Sequence, residues 1–444
     1  MMNGLRTRSG DKMRLAVIGT GIAGNAAAYA LTTCTSHDIT VFDKEARAGG
    51  HSATVDIEYN GKTLSVDTGF IVYNEVNYPL LTALFDHLGV DTEFSDMSFS
   101  LSADHGRFEW CGRTKNPVGG LFAQRSNLFS PGYLKMLFEI LRFNRTALSD
   151  LKDNRLDNVS LGDYLLRHRF SQKFRNDYLL PMGAAIWSMS TEAMLNFPAH
   201  SFIAFFNNHH LLGFVSPQWR TVKGGSRSYV TKMMASYRDR VRLGQAVRTV
   251  TRTSHGVTVH CEDGSQSLFD GVIFASHTDE TLAMLTDASK EERAVLSAIP
   301  YKPNTVYLHR DDSFMPRRKR AWSAWNVLQG QGRKDELCVT YWMNQLQNLD
   351  PSRPVFVTLN PPTPPEEEKI FGRFVYDHPQ FDAAAIAAQP KIGALQGKNR
   401  TWFAGAWTRY GFHEDGLASA LDVAAHFGAF PIWANVPNLV EAAE

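Results

Sequence analysis

Three ionisable side chains lie side by side near the C-terminus, in the segment FAGAWTRYGFHEDGLASAL (403–421). His413 could accept a proton, because an imidazole titrates near neutral pH. Glu414 and Asp415 stand directly before Gly416, where we expect a helix to begin, and acids at that position commonly cap the free N–H groups of the first turn. The cluster therefore holds one candidate base, His413, and two acids that suit either capping or catalysis.

A second chemically informative motif lies near the N-terminus, where Gly19, Gly21 and Gly24 form the pattern G-x-G-x-x-G. The first glycine permits a tight turn, the second lets the backbone approach a pyrophosphate, and the third lets a helix pack closely on a strand. The start of that helix then offers free N–H groups and a positive dipole end to the phosphates. Asp43 follows 19 residues beyond Gly24, where a carboxylate can bind ribose hydroxyls. This spacing predicts a dinucleotide site.

The elements that must position these residues can be predicted from local patterns. The segment 15–18 reads as a buried strand that runs into the glycine loop and a small-residue helix, and DITVFDKE supplies a second strand. Asn60-Gly61 predicts a hairpin turn, and Asp263-Gly264 predicts another turn between strands. FDGVIFAS reads as a buried strand ending at Ala275, RTWFAGAW as a last strand, and GLASALDVAAHFGAF as a last helix.

Length and composition limit the class of protein. The chain has 444 residues, of which 43% are hydrophobic and 20% charged, which suits a globular protein of two or more lobes. A net charge of +1 gives no indication of nucleic-acid binding. The four cysteines show neither metal-ligand spacing nor a disulfide framework, so we expect no metal site and a reducing, cytosolic setting: Cys34, Cys111, Cys261 and Cys338.

The terminal segments and the apolar runs bear on targeting. Residues 1–12 are polar and basic and are expected to form a disordered leader. Residues 431–444 are expected to form a C-terminal tail. No apolar stretch approaches 18 residues, so neither a signal peptide nor a transmembrane helix is expected. We expect a cytoplasmic protein with peripheral contact at the inner face of the membrane as an open alternative.

The residues after the second strand point to a particular cofactor. Gly49, Gly50 and His51 come directly after the second strand, and Asp67-Thr68-Gly69 follows the predicted hairpin strands. This order resembles the flavoprotein amine-oxidase and phytoene-desaturase superfamily, in which a G-G-basic stretch touches the pyrophosphate. The resemblance implies FAD as the cofactor. The segment 403–421 contains no cysteine to which a flavin could be linked, so we expect the FAD to be non-covalent.

The resemblance also implies a set of cofactor contacts. The strand holding Val247 would pass the adenine, and the C-terminal helix would point its N-terminus at the flavin N1–C2=O edge, where reduction places negative charge. An acidic residue usually follows the close-approach glycine, and here Ala406 follows Gly405. The cofactor-binding residues implied in this way are Gly19, Gly21, Gly24, Asp43, Lys44, Gly49, Gly50, His51, Val247, Gly405, Glu414, Asp415, Gly416 and Leu417.

The same resemblance implies an α/β fold with two domains. A discontinuous Rossmann-like FAD-binding domain is expected from residues 13–90, 225–290 and 395–430. Residues 91–224 and 291–394 are then expected to form a mixed α+β substrate domain, as in an amine-oxidase-like two-domain flavoprotein.

The substrate domain carries features of a lipid enzyme. Residues 178–214 are rich in Met, Phe, Leu and Ala, which would suit buried helices and equally an apolar chain-shaped substrate. Several segments resemble a bacterial oxidoreductase branch of the superfamily, among them DTGFIVYNEVNYPLL and GFHEDGLASAL. That branch is associated with desaturation of methyl-branched fatty acyl chains, so the resemblance implies a lipid or fatty acyl substrate.

Aromatic and basic residues offer further candidates. Amine oxidases of the superfamily set an aromatic pair before the flavin, for which this chain offers Tyr341, Trp342, Trp407 and Tyr410, and we take Tyr410 with His413 as the candidate catalytic residues. The run Arg317, Arg318, Lys319 and Arg320 beside Trp322 suits either an anionic membrane surface or a solvated turn.

Three functions follow, in order of preference. The first is an FAD-dependent desaturase in which a substrate C–H hydride passes to flavin N5 and a neighbouring proton is lost. The second is an FAD-dependent amine oxidase, and the third a non-catalytic FAD-containing lipid-binding protein. Only one dinucleotide fingerprint is present, so the electron acceptor is expected to be oxygen or a quinone.

Overall fold

The structure is a computed structural model that describes residues 12–112, 117–213, 217–330 and 338–435. The predicted disordered leader lies outside the described residues apart from Lys12. Of the predicted C-terminal tail, residues 431–435 are described, and they include a short 3-10 turn at Ile432–Ala434.

Within the described residues, the strands form five sheets. They are β1 (Arg14–Ile18), β2 (Asp38–Phe42), β3 (Thr54–Tyr59), β4 (Lys62–Asp67), β5 (Val72–Asn74), β6 (Thr92–Phe94), β7 (Phe99–Ala103), β8 (Phe108–Gly112), β9 (Trp219–Val222), β10 (Val241–Arg242), β11 (Val247–Thr253), β12 (Gly256–Cys261), β13 (Gln266–Phe269), β14 (Gly271–Phe274), β15 (Tyr301–His309), β16 (Trp325–Gln329), β17 (Cys338–Trp342), β18 (Phe356–Leu359), β19 (Ile370–Pro379) and β20 (Thr401–Phe403).

The α-helices vary from one turn to six. They are α1 (Ile22–Cys34), α2 (Pro79–Leu88), α3 (Pro117–Leu121), α4 (Pro131–Lys152), α5 (Leu161–Arg167), α6 (Gln172–Phe174), α7 (Leu180–Trp187), α8 (Thr191–Leu195), α9 (Ala199–Asn208), α10 (Arg227–Met234), α11 (Thr278–Met284), α12 (Lys290–Leu296), α13 (Met343–Leu346), α14 (Ala383–Ala388) and α15 (His413–Ala425).

A five-stranded parallel sheet organises the predicted dinucleotide site. Its order is β10-β2-β1-β14-β20, and every neighbouring pair is parallel. Helix α1 crosses from β1 to β2, as a parallel pair requires. The apolar residues of β1 and β14 are buried, as expected for strands covered on both faces. The sheet thus draws its strands from three separate parts of the chain, and the carboxyl end of β1 opens at the glycine loop.

A larger sheet forms the centre of the second lobe. Its seven strands follow the order β19-β15-β18-β17-β16-β7-β8, with β16 and β7 parallel and the other pairs antiparallel. The helices between residues 117 and 208 pack beside this sheet and share its apolar core. The fold is therefore α/β with a Rossmann-like sheet and a mixed α+β lobe, as predicted. The exact domain boundaries stay a prediction.

Local predictions of turns and strands are confirmed. Asn60 and Gly61 both have positive φ, and they join β3 and β4 through a two-residue turn. Residues 262–265 connect β12 and β13 around the predicted Asp263-Gly264 turn. The predicted buried strand before Ala275 is β14.

The predicted start of the last helix was wrong by one turn. Helix α15 begins at His413, with Phe412 as its N-cap residue, and not at Gly416. The physical reason is that the Asp415 carboxylate accepts the Phe412 N–H at 2.9 Å, which closes the first helical turn three residues earlier. His413 is therefore the first helical residue.

Within the described residues, no helix combines the length and the apolar character needed to cross a membrane.

Candidate functional site

The glycine loop has the backbone geometry that its sequence predicts. Gly19 has φ of +107°, and a Cβ there would lie 2.7 Å from the Ala275 carbonyl oxygen. A Cβ on Gly24 would lie 1.9 Å from the Gly19 carbonyl oxygen. A Cβ on Gly21, in contrast, would meet no described atom within 4 Å. The backbone of Gly21 therefore borders open space at the N-terminus of α1, where a phosphate would find unpaired N–H groups.

The second pair of glycines lies against the first loop. A Cβ on Gly50 would be 3.0 Å from the Gly21 Cα, and the Gly49 N–H donates to the Thr20 carbonyl at 3.0 Å. Arg47, which sequence reasoning missed, donates to the Gly50 carbonyl at 2.8 Å and is exposed. The sequence contained an indication of this contact, because Arg47 is a cation just before the glycine pair. Its guanidinium supplies positive charge beside the loop that faces the predicted pyrophosphate.

Asp43 lies at the carboxyl end of β2 and is tied to the same loop. It accepts hydrogen bonds from the Thr20 hydroxyl and, at 2.7 Å, from the Thr20 N–H. Its other oxygen accepts from the Glu45 N–H at 2.9 Å. Lys44 instead points to α11, where its ammonium lies 2.6 Å from Glu280, and this hydrogen bond is the main cause that raises its pKa. Asp43 thus faces the loop, whereas the Lys44 side chain is engaged elsewhere.

The predicted adenine strand begins beside Asp43. The Gln245 N–H donates to the Asp43 carbonyl at 2.9 Å, two residues before Val247. Val247 then pairs with Cys261 in the antiparallel sheet β11-β12-β13. The segment leading to Val247 is therefore held against the carboxyl end of β2, next to the candidate ribose ligand.

The C-terminal strand, loop and helix close the other side of the site. A Cβ on Gly416 would lie 2.8 Å from the Ile22 side chain, so α15 starts directly against the first residue of α1. A Cβ on Gly405 would lie 2.3 Å from the Trp407 indole nitrogen, so a side chain is excluded there too. Leu417 is fully buried in the apolar core shared with α1. The structure thus brings two helix N-termini to one place.

The two acids of this segment bind backbone N–H groups. Asp415 caps the first turn of α15 through Phe412. Glu414 accepts from the N–H groups of Leu80 and Leu81, at 2.8 and 3.0 Å, in the first turn of α2. Burial is the main cause that raises the pKa of Glu414 to about 7 and that of Asp415 to about 6. Asp415 therefore caps its own helix, α15, whereas Glu414 caps α2.

His413 is held by three residues that the sequence did not single out. Its Nε2 lies 3.1 Å from the Ser52 hydroxyl and 3.1 Å from the Tyr229 hydroxyl, and those two hydroxyls also contact each other. Its ring stacks on Phe70 at 3.8 Å between centroids. Burial lowers the pKa of His413 to about 3, so the imidazole is neutral at physiological pH. Ser52 directly follows His51, so this cluster adjoins the glycine pair. A catalytic role for His413 stays a prediction.

The predicted aromatic residues fall into two groups. Tyr410 lies 5.9 Å from Phe205 of α9, and Phe412 stacks on the same ring at 5.0 Å. His209 also stacks on Phe205, at 3.8 Å, and its ring lies 5.7 Å from that of Phe412. We call Phe205, His209, Tyr410 and Phe412 the aromatic wall. Sequence reasoning named only Tyr410 among them.

The other predicted aromatic residues lie elsewhere. Tyr341 and Trp342 are on β17 of the seven-stranded sheet, against Trp325 and Trp322 respectively. Trp407 is buried in the core. A role for Tyr410 in catalysis stays a prediction.

His51 joins the two lobes at the glycine pair. Its ring lies 5.3 Å from Tyr376 and 5.4 Å from His378, both on β19. Its Nε2 is buried and has no hydrogen-bond partner among the described residues. Burial, together with His378 and His277, holds the pKa of His51 well below its usual range. A buried polar atom without a partner is costly, so this nitrogen fits a site completed by a ligand.

These residues fit FAD. The open space at Gly21, the N-terminus of α1 and Arg47 suit a pyrophosphate, and the unpartnered nitrogen of His51 adjoins them. Asp43 and the segment before Val247 suit the adenosine half. The N-terminus of α15 would favour a group that gains negative charge.

Comparisons with known proteins agree with this fit. The profile of the family described as flavin-containing amine oxidoreductase matches residues 22–345. AofH of Mycobacterium tuberculosis, which carries the provisional name of a flavin-containing monoamine oxidase, is 27% identical over 256 residues. That match occurs in strains CDC 1551 and H37Rv and covers 56% of this chain and 53% of the relative. The chain thus spans about half the length of this curated relative.

Solved structures share the fold over nearly the whole chain. Putrescine oxidase bound to putrescine has a TM-score of 0.64 at 15% identity, covering 95% of this chain and 100% of that one. Cyclohexylamine oxidase from Brevibacterium oxydans has a TM-score of 0.64 at 16% identity, covering 94% and 99%. A CLA-producing fatty acid isomerase from P. acnes has a TM-score of 0.63 at 16% identity, covering 94% and 98%. With the matching family profile and the cofactor site together, this chain belongs to the flavin-containing amine oxidoreductase family, and its cofactor is FAD.

Proposed function

We propose that this protein is an FAD-dependent dehydrogenase that introduces a double bond into the acyl chain of a lipid. The observation that carries the proposal is an uncharged aromatic wall beside the N-terminus of α15, whose neighbouring acids are both engaged as caps.

The aromatic wall suits an apolar substrate. Phe205 and Phe412 are apolar, and burial lowers the pKa of His209 to about 4, so its ring is neutral at physiological pH. Burial also raises the pKa of Tyr410, which keeps the phenol neutral. Trp187 extends the wall, with its ring 4.6 Å from that of Phe205. A wall of this kind favours hydrocarbon over a charged group.

The adjacent acids are poorly suited to hold an amine. A cationic substrate needs a carboxylate with free oxygens, whereas Glu414 and Asp415 both accept backbone N–H groups. Burial also raises the pKa of both acids, which disfavours the charged form that would hold a cation. Neither acid is therefore a ready anchor for an ammonium group.

In the proposed reaction, a substrate C–H bond breaks with its electron pair, the neighbouring carbon loses a proton, and a double bond forms between the two carbons. FAD, when bound, supplies the acceptor for the hydride. Oxygen or a quinone would serve as the final acceptor of the two electrons. The N-terminus of α15 stabilises the negative charge that reduction creates.

The proposed destination of the proton is the imidazole of His413. Its Nδ1 would take the proton, while Nε2–H would donate to the hydroxyls of Ser52 and Tyr229, which would orient the ring and pass a proton on. Because the pKa of His413 is about 3, the imidazole would hold the proton only briefly and then release it to solvent.

A second candidate is an FAD-dependent amine oxidase. It is favoured by the 27% identity to AofH and by the likeness in fold to two amine oxidases. The third candidate, a non-catalytic FAD-containing lipid-binding protein, needs the same apolar wall but no turnover.

Anaerobic single-turnover mixing separates the three candidates. The oxidised holoenzyme is mixed with phospholipid vesicles carrying saturated and methyl-branched acyl chains, with primary amines, or with buffer, and flavin absorbance is followed. We expect bleaching by the lipid alone, with an unsaturated product in the extracted lipid. Bleaching by amines alone would replace this proposal with the second candidate. No bleaching by either, in protein whose flavin dithionite still reduces, would support the third.

A further inference from the structure

The segment from α3 to α4 carries an unusual number of exposed apolar side chains. Phe129 is 87% exposed, Val118 68% and Phe138 63%, and Leu128, Leu134 and Leu141 are each close to half exposed. These six residues come from 24 consecutive positions, whereas the other exposed large apolar residues are scattered along the chain. Exposed apolar residues concentrated in this way mark an interaction site.

Helix α4 is apolar on two opposite faces. One face buries Tyr133, Met136 and Phe143 in the core of the second lobe. Leu134, Phe138 and Leu141 follow each other at helical spacing on the other face, which points to solvent. A surface helix of a globular protein typically has one apolar face, which packs on the core. A second apolar face, exposed to solvent, indicates a binding partner.

The charges around this face are of one sign. Residues 117–145 contain four basic residues and a single acid, Glu139. Glu139 is buried under the helix, where it accepts the Ser171 N–H at 3.0 Å and lies 3.6 Å from Arg142. Arg125, Lys135 and Arg145 are exposed. The exposed charge on this stretch is therefore entirely positive.

Two further cations lie beside the same face. The buried thiol of Cys111 contacts the carbonyl oxygens of both Gly120 and Arg320, and Ala321 packs with Ala123. Cys111 thus links the turn that bears Lys319 and Arg320 to α3, and the side chains of both cations are exposed.

The other half of the basic run is bound within the fold. Arg318 pairs at 2.9 Å with the buried carboxylate of Glu109, and Arg317 donates to the His105 carbonyl at 3.2 Å. Of the four consecutive basic residues, Lys319 and Arg320 are therefore the pair placed to add charge to the face.

We propose that this face docks the protein onto an anionic lipid bilayer. We define the docking face as Val118, Arg125, Leu128, Phe129, Leu134, Lys135, Phe138, Leu141, Arg145, Lys319 and Arg320. Its apolar side chains enter the boundary between headgroups and acyl chains, and its cations contact the anionic headgroups.

The sign of the charge favours a bilayer over a second copy of the chain. In a two-fold dimer the same face would meet itself, and the cations would then approach their own symmetry mates. Like charges brought together in an interface oppose association. An anionic bilayer has no such conflict.

The position of the face also suits a lipid enzyme. The inner face of α4 packs on α9, and α9 carries Phe205 of the aromatic wall. The surface in contact with lipid would thus back directly onto the proposed acyl site. This link rests on the proposed function, whereas docking itself does not and can be measured without turnover.

The test is co-sedimentation of the holoenzyme with vesicles. We expect binding to vesicles of phosphatidylcholine mixed with phosphatidylglycerol, and weak binding to phosphatidylcholine alone. Added salt should weaken the binding to the mixed vesicles, because it screens the cations.

Two variants separate the apolar and the charged contributions. Replacing Leu134, Phe138 and Leu141 with Ser should weaken partition on the order of 10²-fold, since three buried side chains are lost. Replacing Arg125, Lys135, Lys319 and Arg320 with Gln should weaken binding to anionic vesicles by a similar factor or more. All seven side chains are exposed, so we expect both variants to fold and retain FAD.

Matched controls change equally exposed residues elsewhere. Leu268, Val375 and Phe430 are replaced with Ser in one control, and four exposed cations are replaced with Gln in the other: Arg248, Lys290, Lys391 and Lys398. Both controls should bind vesicles like the parent.

Binding by the docking-face variants at the parental level, or failure of the parent to bind anionic vesicles, would overturn the proposal. A dimer that the Ser variant dissociates, without vesicle binding, would identify a second copy as the partner instead. Vesicle binding without flavin bleaching would refute only the proposed desaturation.

Discussion

At the scale of single residues, Gly21 offers the sharpest test of the cofactor site. Its φ of −63° is one that any residue can adopt, and a Cβ there meets no described atom within 4 Å. Gly21→Val should therefore fold normally but place its side chain where the pyrophosphate binds. We expect FAD binding to weaken by at least about 100-fold, equivalent to roughly 2.7 kcal/mol.

The measurement is the ratio of flavin absorbance to protein after purification, followed by titration with FAD. Gly393→Val is a matched control, because a Cβ at Gly393 also meets no described atom within 4 Å and Gly393 lies outside the site. If Gly21→Val kept its FAD as the control does, the pyrophosphate could not lie against this loop.

His413 tests the proposed chemistry. His413→Ala should retain FAD but slow flavin reduction by roughly 10²-fold, the usual scale of general acid–base catalysis. His413→Gln restores a polar partner for the hydroxyls of Ser52 and Tyr229 but cannot accept the proton, so it should be equally slow. The measurement is single-turnover bleaching with the substrate class that reduces the flavin of the parent protein. Parental rates in His413→Gln would mean that the residue only positions its neighbours.

At the scale of elements, Glu414 links the start of α15 to the start of α2. A carboxylate at a helix N-terminus is favourable, but burial opposes its charge and raises its pKa from 4.5 to about 7. The folded state therefore binds this proton more tightly than the unfolded chain. The resulting stability is fully present below pH 4.5 and is lost as the pH rises to about 7.

This linkage can be measured by comparing two proteins. Between pH 4.5 and 7, the free energy of unfolding of the parent should fall relative to that of Glu414→Gln by up to about 3 kcal/mol, since one pKa unit is worth about 1.4 kcal/mol. Chemical denaturation of both proteins across this range gives the difference. A constant difference between them would show that Glu414 keeps an ordinary pKa in the fold.

At the scale of the whole molecule, the cofactor site joins both ends of the chain. The loop at Gly21 contacts the glycine pair at Gly50, and the adjoining Ile22 contacts the helix start near Gly416. Bound FAD should therefore stabilise the entire fold, by about 2.7 kcal/mol at a free concentration 100 times its Kd.

Thermal unfolding of the apoprotein during titration with FAD measures this effect. FMN lacks the adenosine half that Asp43 and the segment before Val247 would bind, and NAD lacks the flavin, so both should raise Tm much less. Equal stabilisation by FMN would argue against an adenosine site at Asp43.

The sequence by itself determined the parts whose geometry is local. A Cβ on Gly24 would collide with backbone a few residues away, and a Cβ on Gly19 would collide with backbone at the end of a neighbouring strand, so both positions need glycine. Asn60-Gly61 forms its turn because both residues tolerate positive φ. Buried strands show as apolar runs, which predicted individual strands such as β1 and β14. The family resemblance supplied the arrangement of distant pieces, which no local pattern contains.

Tertiary structure alone decided what the ionisable residues do. Glu414 caps a helix more than 300 residues away in sequence, and Ser52, Phe70 and Tyr229 surround His413 from three separate segments. The pKa values of these groups depend on burial and on neighbours brought together by folding, so spacing along the chain could not predict them. The exposed face of α4 likewise could not be assigned from the sequence, because apolar residues occur on both faces of the helix and only packing shows which face stays uncovered.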